Sequence, residues 1–217
     1  MIYWLIHWIF KITGFLPQLF AFRTKVYYED KSVQKRRIKG KAIIMPNHHS
    51  VLDVATMMFV FYGRTLRCLT AELMYRKNIF MTLVLKLLGC IKVDRENHDF
   101  SFLNKAEEIL NKGGVVEIYP EARLAEPGEE KPLEFKPSVV ALALSSGAQI
   151  IPVYHNSAIF EKERKRVIIG KPIDVREWYD DTLSESENID AICKRLRGKV
   201  IELGNELERQ REEEKAR

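Results

Sequence analysis

Short aliphatic runs alternate with amphipathic stretches along most of this chain, and that alternation constrains its fold more than any other feature. Ala42–Met45, Leu66–Thr70, Ile91–Val93, Val115–Tyr119, Ile150–Tyr154 and Val167–Ile169 are too short for helices and rich in β-branched residues, as buried strands are. Ser50–Tyr62, Asn78–Leu88, Asp99–Asn111, Pro137–Ser146 and Asn188–Gln210 carry helical signals. In the third of these, Asp99 caps the start, Phe102, Ala106, Ile109 and Leu110 form a stripe, and Gly113-Gly114 stops the helix. The alternation predicts an α/β fold: a mixed, largely parallel sheet with helices on both faces. A length of 217 residues, 46% hydrophobic and 30% charged, suits one such domain with a full core. The domain is expected over residues 35–217, after a helical N-terminal segment at residues 1–34.

A parallel sheet places ligand sites beyond the carboxyl ends of its strands, and polar clusters fall there. His48 and Asp53 follow the first core strand, Asp94 and Arg95 follow Ile91–Val93, and Glu121 and Arg123 follow Val115–Tyr119. An imidazole such as His48 takes a proton from a hydroxyl near neutral pH, and a carboxylate on its other nitrogen fixes the tautomer. Positions five apart point to different faces of a continuous helix, so His48 and Asp53 meet only if the chain bends between them. Pro46 and Asn47 mark that bend, with Ser50 a candidate N-cap and Asp53 at N3. The alternative is that Asp53 only caps a helix and His48 sits in a loop.

Arg95 and Arg123 carry planar, bidentate forks that suit a phosphomonoester. Glu121 between them either holds an arginine or accepts a substrate hydroxyl. Any one of these clusters taken alone reads equally as a loop ion pair. His49 and His98 lack companions at zinc spacings, and Cys68, Cys90 and Cys193 are scattered and odd in number. Neither a metal nor any other cofactor is expected, and the cysteine pattern favours a reducing compartment.

Residues 1–22 are very apolar, with Trp4, Trp8 and several Phe interrupted by Lys11, Gly14 and Pro17. A spanning helix wants about twenty apolar residues without such breaks. Two short helices bent at Gly14 and Pro17 would instead lie in the bilayer interface, tryptophans at headgroup depth. Residues 1–41 hold nine Lys or Arg against Glu29 and Asp30, while the whole chain is only +5, so the basic charge is local. An anionic membrane surface is the expected partner; packing of the segment on the protein's own core is the competing possibility. No recognised nucleic-acid motif accompanies the basic stretch.

Taken in order, Asn47-His48-His49-Ser50-Val51-Leu52-Asp53, Gly89-Cys90-Ile91-Lys92-Val93-Asp94-Arg95, Tyr119-Pro120-Glu121-Ala122-Arg123 and Ile150-Ile151-Pro152-Val153 resemble the four blocks of the glycerolipid acyltransferase superfamily. The resemblance runs from about Ala42 to Val153. Its HxxxxD block is the most specific part; the third block departs, with Ala122 alone where the family shows Gly-Thr before the arginine. The resemblance implies a membrane-associated enzyme on the cytoplasmic face, peripheral or monotopic. It would move an acyl group from acyl-CoA or acyl carrier protein to a lysophospholipid hydroxyl, most simply 1-acyl-sn-glycerol-3-phosphate, giving phosphatidic acid. His48 would be the general base and Asp53 its orienting acid, while Arg95 and Arg123, with Glu121 assisting, would hold the acceptor's phosphate. Backbone N–H groups at the start of Ser50–Tyr62 would stabilise the oxyanion. The same chemistry on glycerol 3-phosphate or a lyso-aminolipid, and thioester hydrolysis, stay open at this point.

Overall fold

Ala42-Ile43-Ile44-Met45-Pro46 has no polar break, and a strand of this kind needs apolar cover on both faces. In the computed structural model all five residues are enclosed. The structure describes residues 2–16, 20, 24–94, 100–157 and 164–216. In chain order its elements are helix α1 (Ile2–Thr13), strands β1 (Lys25–Tyr28) and β2 (Ala42–Pro46), helix α2 (Asp53–Val60), strand β3 (Leu66–Ala71), helices α3 (Glu72–Arg76) and α4 (Ile79–Leu88), and strand β4 (Ile91–Val93). Helix α5 (Ser101–Asn111), strand β5 (Val115–Glu117), helix α6 (Ser138–Ser146), strands β6 (Gln149–His155) and β7 (Arg166–Ile169), a 3-10 turn at Val175–Trp178, and helix α7 (Glu185–Lys215) follow.

The strands form one sheet in the order β1-β7-β6-β2-β5-β3-β4, parallel throughout except between β6 and β7. Its two faces bury separate clusters. Ile43, Met45, Val116 and Ile150 pack under Phe102 and Leu110 of α5, Val139 and Leu142 of α6, and Ile192 and Leu196 of α7. Ile44, Val115 and Ile151 pack under Met57 and Val60 of α2 and Phe61 just beyond it. The alternate residues of each strand thus serve opposite sides. This is the mixed, largely parallel α/β sheet with helices on both faces that the alternation predicts.

The differences have local causes. Lys25–Tyr28 joins the sheet, so the α/β layer begins ahead of the expected boundary at residue 35. Val26 and Tyr28 face the α2-side cluster while Tyr27 packs by Ile168, Leu203 and Leu207, a period of two that the basic neighbours obscure. Helix α2 starts at Asp53 rather than Ser50, because Asp53 is drawn back onto the loop amides and Ser50–Leu52 become a turn. The C-terminal helix is longer than expected and starts from a reciprocal capping box between Ser184 and Glu187. Asp99, the expected cap of α5, lies outside the described residues.

The expected bend at Gly14 is present: α1 stops at Thr13, and a Cβ at Gly14 would lie 2.8 Å from the Phe59 ring. Pro17 lies outside the described residues. One face of α1 docks on the body through polar groups. His7 Nε2 lies 3.1 Å from Leu88 O, and Lys11 Nζ donates to Tyr62 O at 2.8 Å and Arg64 O at 2.7 Å. Burial pushes the Lys11 pKa down to about 8. Gly89 adopts φ +67°, and a Cβ there would sit 2.7 Å from both Arg67 Cζ and the Tyr3 ring, so glycine lets α1 close over the end of α4. The opposite face, with Trp4, Leu5, Ile9 and Ile12, is exposed. No described helix is long and apolar enough to cross a membrane.

Candidate active site

Strand β2 ends where the apolar run ends, and the next residues turn back beneath it. Asn47 clasps the end of β6 in both directions: its Oδ1 accepts from His155 N at 2.8 Å and its Nδ2 donates to His155 O at 3.0 Å. The bend brings His48 Nδ1 to 3.1 Å from Asp53 Oδ2. The same oxygen accepts His49 N at 2.8 Å and Ser50 N at 2.7 Å, and Lys165 Nζ donates to Oδ1 at 3.0 Å. Asp53 is fully buried and Lys165 nearly so. Burial acts to raise the Asp53 pKa, but the His48 bond, neighbouring His155 and Lys165, and the Ser50 amide outweigh it and hold the carboxyl well below the ordinary range. An ionised carboxylate only accepts, so His48 Nδ1 carries the proton and Nε2 is the basic nitrogen.

The loop after β5 supports the other side of His48. Glu121 Oε1 accepts from His48 N at 2.7 Å and Oε2 from Leu133 N at 2.8 Å. Burial pushes the Glu121 pKa up against the pull of those two amides. Of the two expectations for Glu121, the arginine contact is not seen among the described residues; its buried carboxyl braces two loops through their amides. Ala122 follows at φ +64°, the left-handed conformation that the family's glycine adopts freely and that costs alanine about 1 kcal/mol. The loop therefore keeps a glycine-like path without the glycine.

The expected phosphate-binding arginines fare differently. Arg95 lies outside the described residues. Arg123 is exposed, and its fork is taken by Glu129, with Nη1–Oε2 and Nη2–Oε1 both 2.6 Å. The expected oxyanion amides are also partly spent, since His49 N and Ser50 N serve Asp53, Asp53 N bonds Ser50 O and Leu52 N bonds Ser50 Oγ.

Sequence reasoning gave no role to Lys165, to His155, or to Tyr119, whose ring centroid lies 4.4 Å from that of His48, and gave Asn47 only the bend. Lys165 reaches Asp53 because β7 runs antiparallel to β6, so the start of β7 lies at the same mouth as the ends of β2 and β6. The twelve residues between Tyr154 and Val167 are just enough for a parallel crossover, so the direction of β7 could not be read from the spacing.

The site is thus a histidine held by a buried carboxylate at the carboxyl ends of a parallel sheet, an arrangement able to accept a proton. Residues 23–156 match the family model described as Acyltransferase, and the chain belongs to that family. It is 23% identical over 169 residues to human (Homo sapiens) 1-acyl-sn-glycerol-3-phosphate acyltransferase beta, a match covering 76% of this chain. The match spans 59% of that relative's length. The fold is similar to the crystal structure of PlsC, the 1-acyl-sn-glycerophosphate (LPA) acyltransferase of Thermotoga maritima, at a TM-score of 0.60 and 20% identity. That similarity covers 93% of this chain and 79% of the other.

The Asp53–Lys165 pair carries an expected outcome. Asp53→Asn strands a buried ammonium and costs on the order of 3–5 kcal/mol in urea unfolding, while Asp53→Asn with Lys165→Met recovers part of the loss. Additive losses would mean that the pair is not coupled. Because the Asp53 pKa is lowered on folding, its contribution is present above the ordinary value of 3.8 and is lost as the pH falls through the folded value. The acid limb of wild-type stability is therefore steeper than that of Asp53→Asn.

Proposed function

We propose that this protein transfers a fatty acyl group from a thioester donor, acyl-CoA or acyl carrier protein, to the free hydroxyl of a lysophospholipid. The acceptor we assign is 1-acyl-sn-glycerol-3-phosphate, and the product phosphatidic acid. The observation that carries this reading is the contact between ionised Asp53 and His48 Nδ1, which leaves Nε2 as a base. His48 Nε2 takes the proton of the acceptor hydroxyl as its oxygen attacks the thioester carbonyl. The tetrahedral intermediate then expels the thiolate, which recovers the proton from the imidazolium. Asp53 stabilises the imidazolium formed between these steps.

Direct transfer also agrees with the cysteines. Burial pushes the Cys68 thiol well up and those of Cys90 and Cys193 to about 11, so none supplies a thiolate for an acyl-enzyme at neutral pH. Arg95 and Arg123 are assigned to the acceptor's phosphate. For Arg123 this means exchanging the Glu129 carboxylate for a phosphate that fits the same fork, a low-cost exchange for an exposed pair.

Membrane association rests on two exposed apolar faces that lie side by side. The outer face of α1 carries Trp4, Leu5, Ile9 and Ile12; that of α4 carries Ile79, Phe80, Leu83 and Leu87, with Ile79 89% and Phe80 72% exposed. Exposed Arg76, Lys77 and Lys86 flank α4. Aromatic and aliphatic groups beside cations fit the interface of an anionic leaflet, with the helices lying on it.

Three outcomes are expected. His48→Ala lowers kcat for radiolabelled acyl transfer by about 10²–10⁴-fold, with cooperative thermal unfolding retained at a lower midpoint because Asp53 loses one donor; retained turnover would exclude the base. Arg123→Ala raises KM for phosphorylated acceptors by about tenfold and leaves a phosphate-free lysolipid untouched, whereas Glu129→Gln lowers the same KM. Equal kinetics in all three proteins would remove Arg123 from the acceptor site. In flotation with phosphatidylglycerol vesicles, Trp4→Glu with Phe80→Glu reduces the bound fraction by about tenfold while keeping the melting temperature. Undiminished flotation would move the membrane contact elsewhere.

A further inference from the structure

Glu117 is an anomaly in the middle of the sheet. It is the last residue of β5, paired in register with Ile44 on β2 and Cys68 on β3, and it is wholly buried. Burying a carboxyl there without compensation is costly. Its Oε1 accepts the hydroxyl of Tyr119, two residues beyond the strand end, at 2.6 Å. The other side of the Tyr119 ring meets His48, at a centroid distance of 4.4 Å and an interplanar angle of 36°. A chain of contacts thus runs from the sheet interior to the imidazole.

We propose that Glu117 and Tyr119 are positioning residues for His48, with Glu117 fixing the phenol and the phenol ring fixing the plane of the imidazole. This inference rests on the acyl-transfer reading of the same site. A single hydrogen bond from Nδ1 to Asp53 leaves the imidazole free to pivot about that bond, and the ring contact on its face removes the pivot. Neither Glu117 nor Tyr119 touches the reacting atoms; both act through His48.

Glu117 does this as the neutral acid. Its Oε2 has no hydrogen-bond partner among the described residues, which a carboxyl group tolerates better than a carboxylate. The titratable groups facing it are Asp53 at the start of α2, Cys68 on β3, Cys90 ahead of β4, and Tyr119 beyond its own strand. Burial pushes the Glu117 pKa up to about 8; the Tyr119 bond opposes this and the Asp53 charge adds to it. Two neighbouring carboxyls are therefore held in opposite states, Asp53 ionised to orient the base and Glu117 protonated to hold the ring. Above about pH 8 Glu117 ionises beside Asp53 with one oxygen unmatched, and the support of Tyr119 is disturbed.

The test is the pH profile of kcat in wild type, Glu117→Gln, Glu117→Leu and Tyr119→Phe, with melting temperatures alongside. Wild type is expected to lose kcat above about pH 8, and Glu117→Gln, which keeps the acceptor without a titrating proton, to keep neutral-pH turnover and lose that limb. Glu117→Leu and Tyr119→Phe are expected to lower kcat by about tenfold with both KM values unchanged. Since folding raises the Glu117 pKa from 4.5, wild-type stability relative to Glu117→Gln falls as the pH rises from there through about 8. The ring-current shift on the His48 Hε1 proton reads the same pair without turnover, and Glu117→Leu is expected to reduce it.

Wild-type kcat and pH profile in folded Tyr119→Phe and Glu117→Gln would overturn the inference, as would a Glu117→Gln protein as impaired as Glu117→Leu. An unfolded Glu117→Leu leaves the decision to the other two variants. Absence of acyl transfer by wild type would count against the functional reading instead, and the His48 shift would still decide whether the pair positions the ring.

Discussion

A carboxylate with no exposure has to be satisfied from every side, and the structure around Asp53 is organised to do so. Two amides from the loop after β2, the imidazole of His48 and the ammonium of Lys165 converge on its two oxygens. Each comes from a different requirement of the fold. The amides need the turn at Ser50–Leu52, the imidazole needs the bend at Asn47, and Lys165 needs β7 to run against β6. Remove the carboxylate and four donors lose their partner at once. The first turn of α2 is therefore fixed by charge satisfaction as much as by helix propensity, and a base is oriented as a consequence.

Around that centre the sheet supplies a mouth. The ends of β2, β5 and β6 and the start of β7 lie together, so His48, Glu121 and the His155–Lys165 pair come from three separate regions of the chain. Glu121 ties the loop after β5 to the His48 backbone and to Leu133, while Asn47 ties β2 to β6. These braces use backbone groups, which resist rotation better than side-chain pairs do. The position of His48 is thus fixed by the fold itself.

Much of this was legible in the chain. Strand and helix periodicity gave the elements of the α/β core, because a strand buried on both faces leaves an unbroken aliphatic run. The HxxxxD spacing pointed to a bend between His48 and Asp53, and the bend exists. The remainder depended on contacts that no local pattern encodes. Lys165 is 112 positions from Asp53, and only strand direction brings it there. Glu121 looked like an arginine partner because it lies between Arg95 and Arg123 in the chain, yet its observed partners are amides of His48 and Leu133. Glu117 was absorbed into the apolar run Val115–Tyr119, although an acid in a buried strand is itself a signal. β1 was hidden because its alternation is short and carries a lysine.

If ionised Asp53 fixes His48, the ring proton sits on Nδ1 and Nε2 is bare. Nitrogen-15 spectroscopy of the histidine-labelled protein measures this directly, since the two ring nitrogens have distinct shifts in each tautomer. Neutral His48 is expected to show a protonated Nδ1 and an unprotonated Nε2, with that preference lost in Asp53→Asn. A neutral His48 protonated on Nε2 in the wild-type protein, or a tautomer indifferent to residue 53, would contradict it.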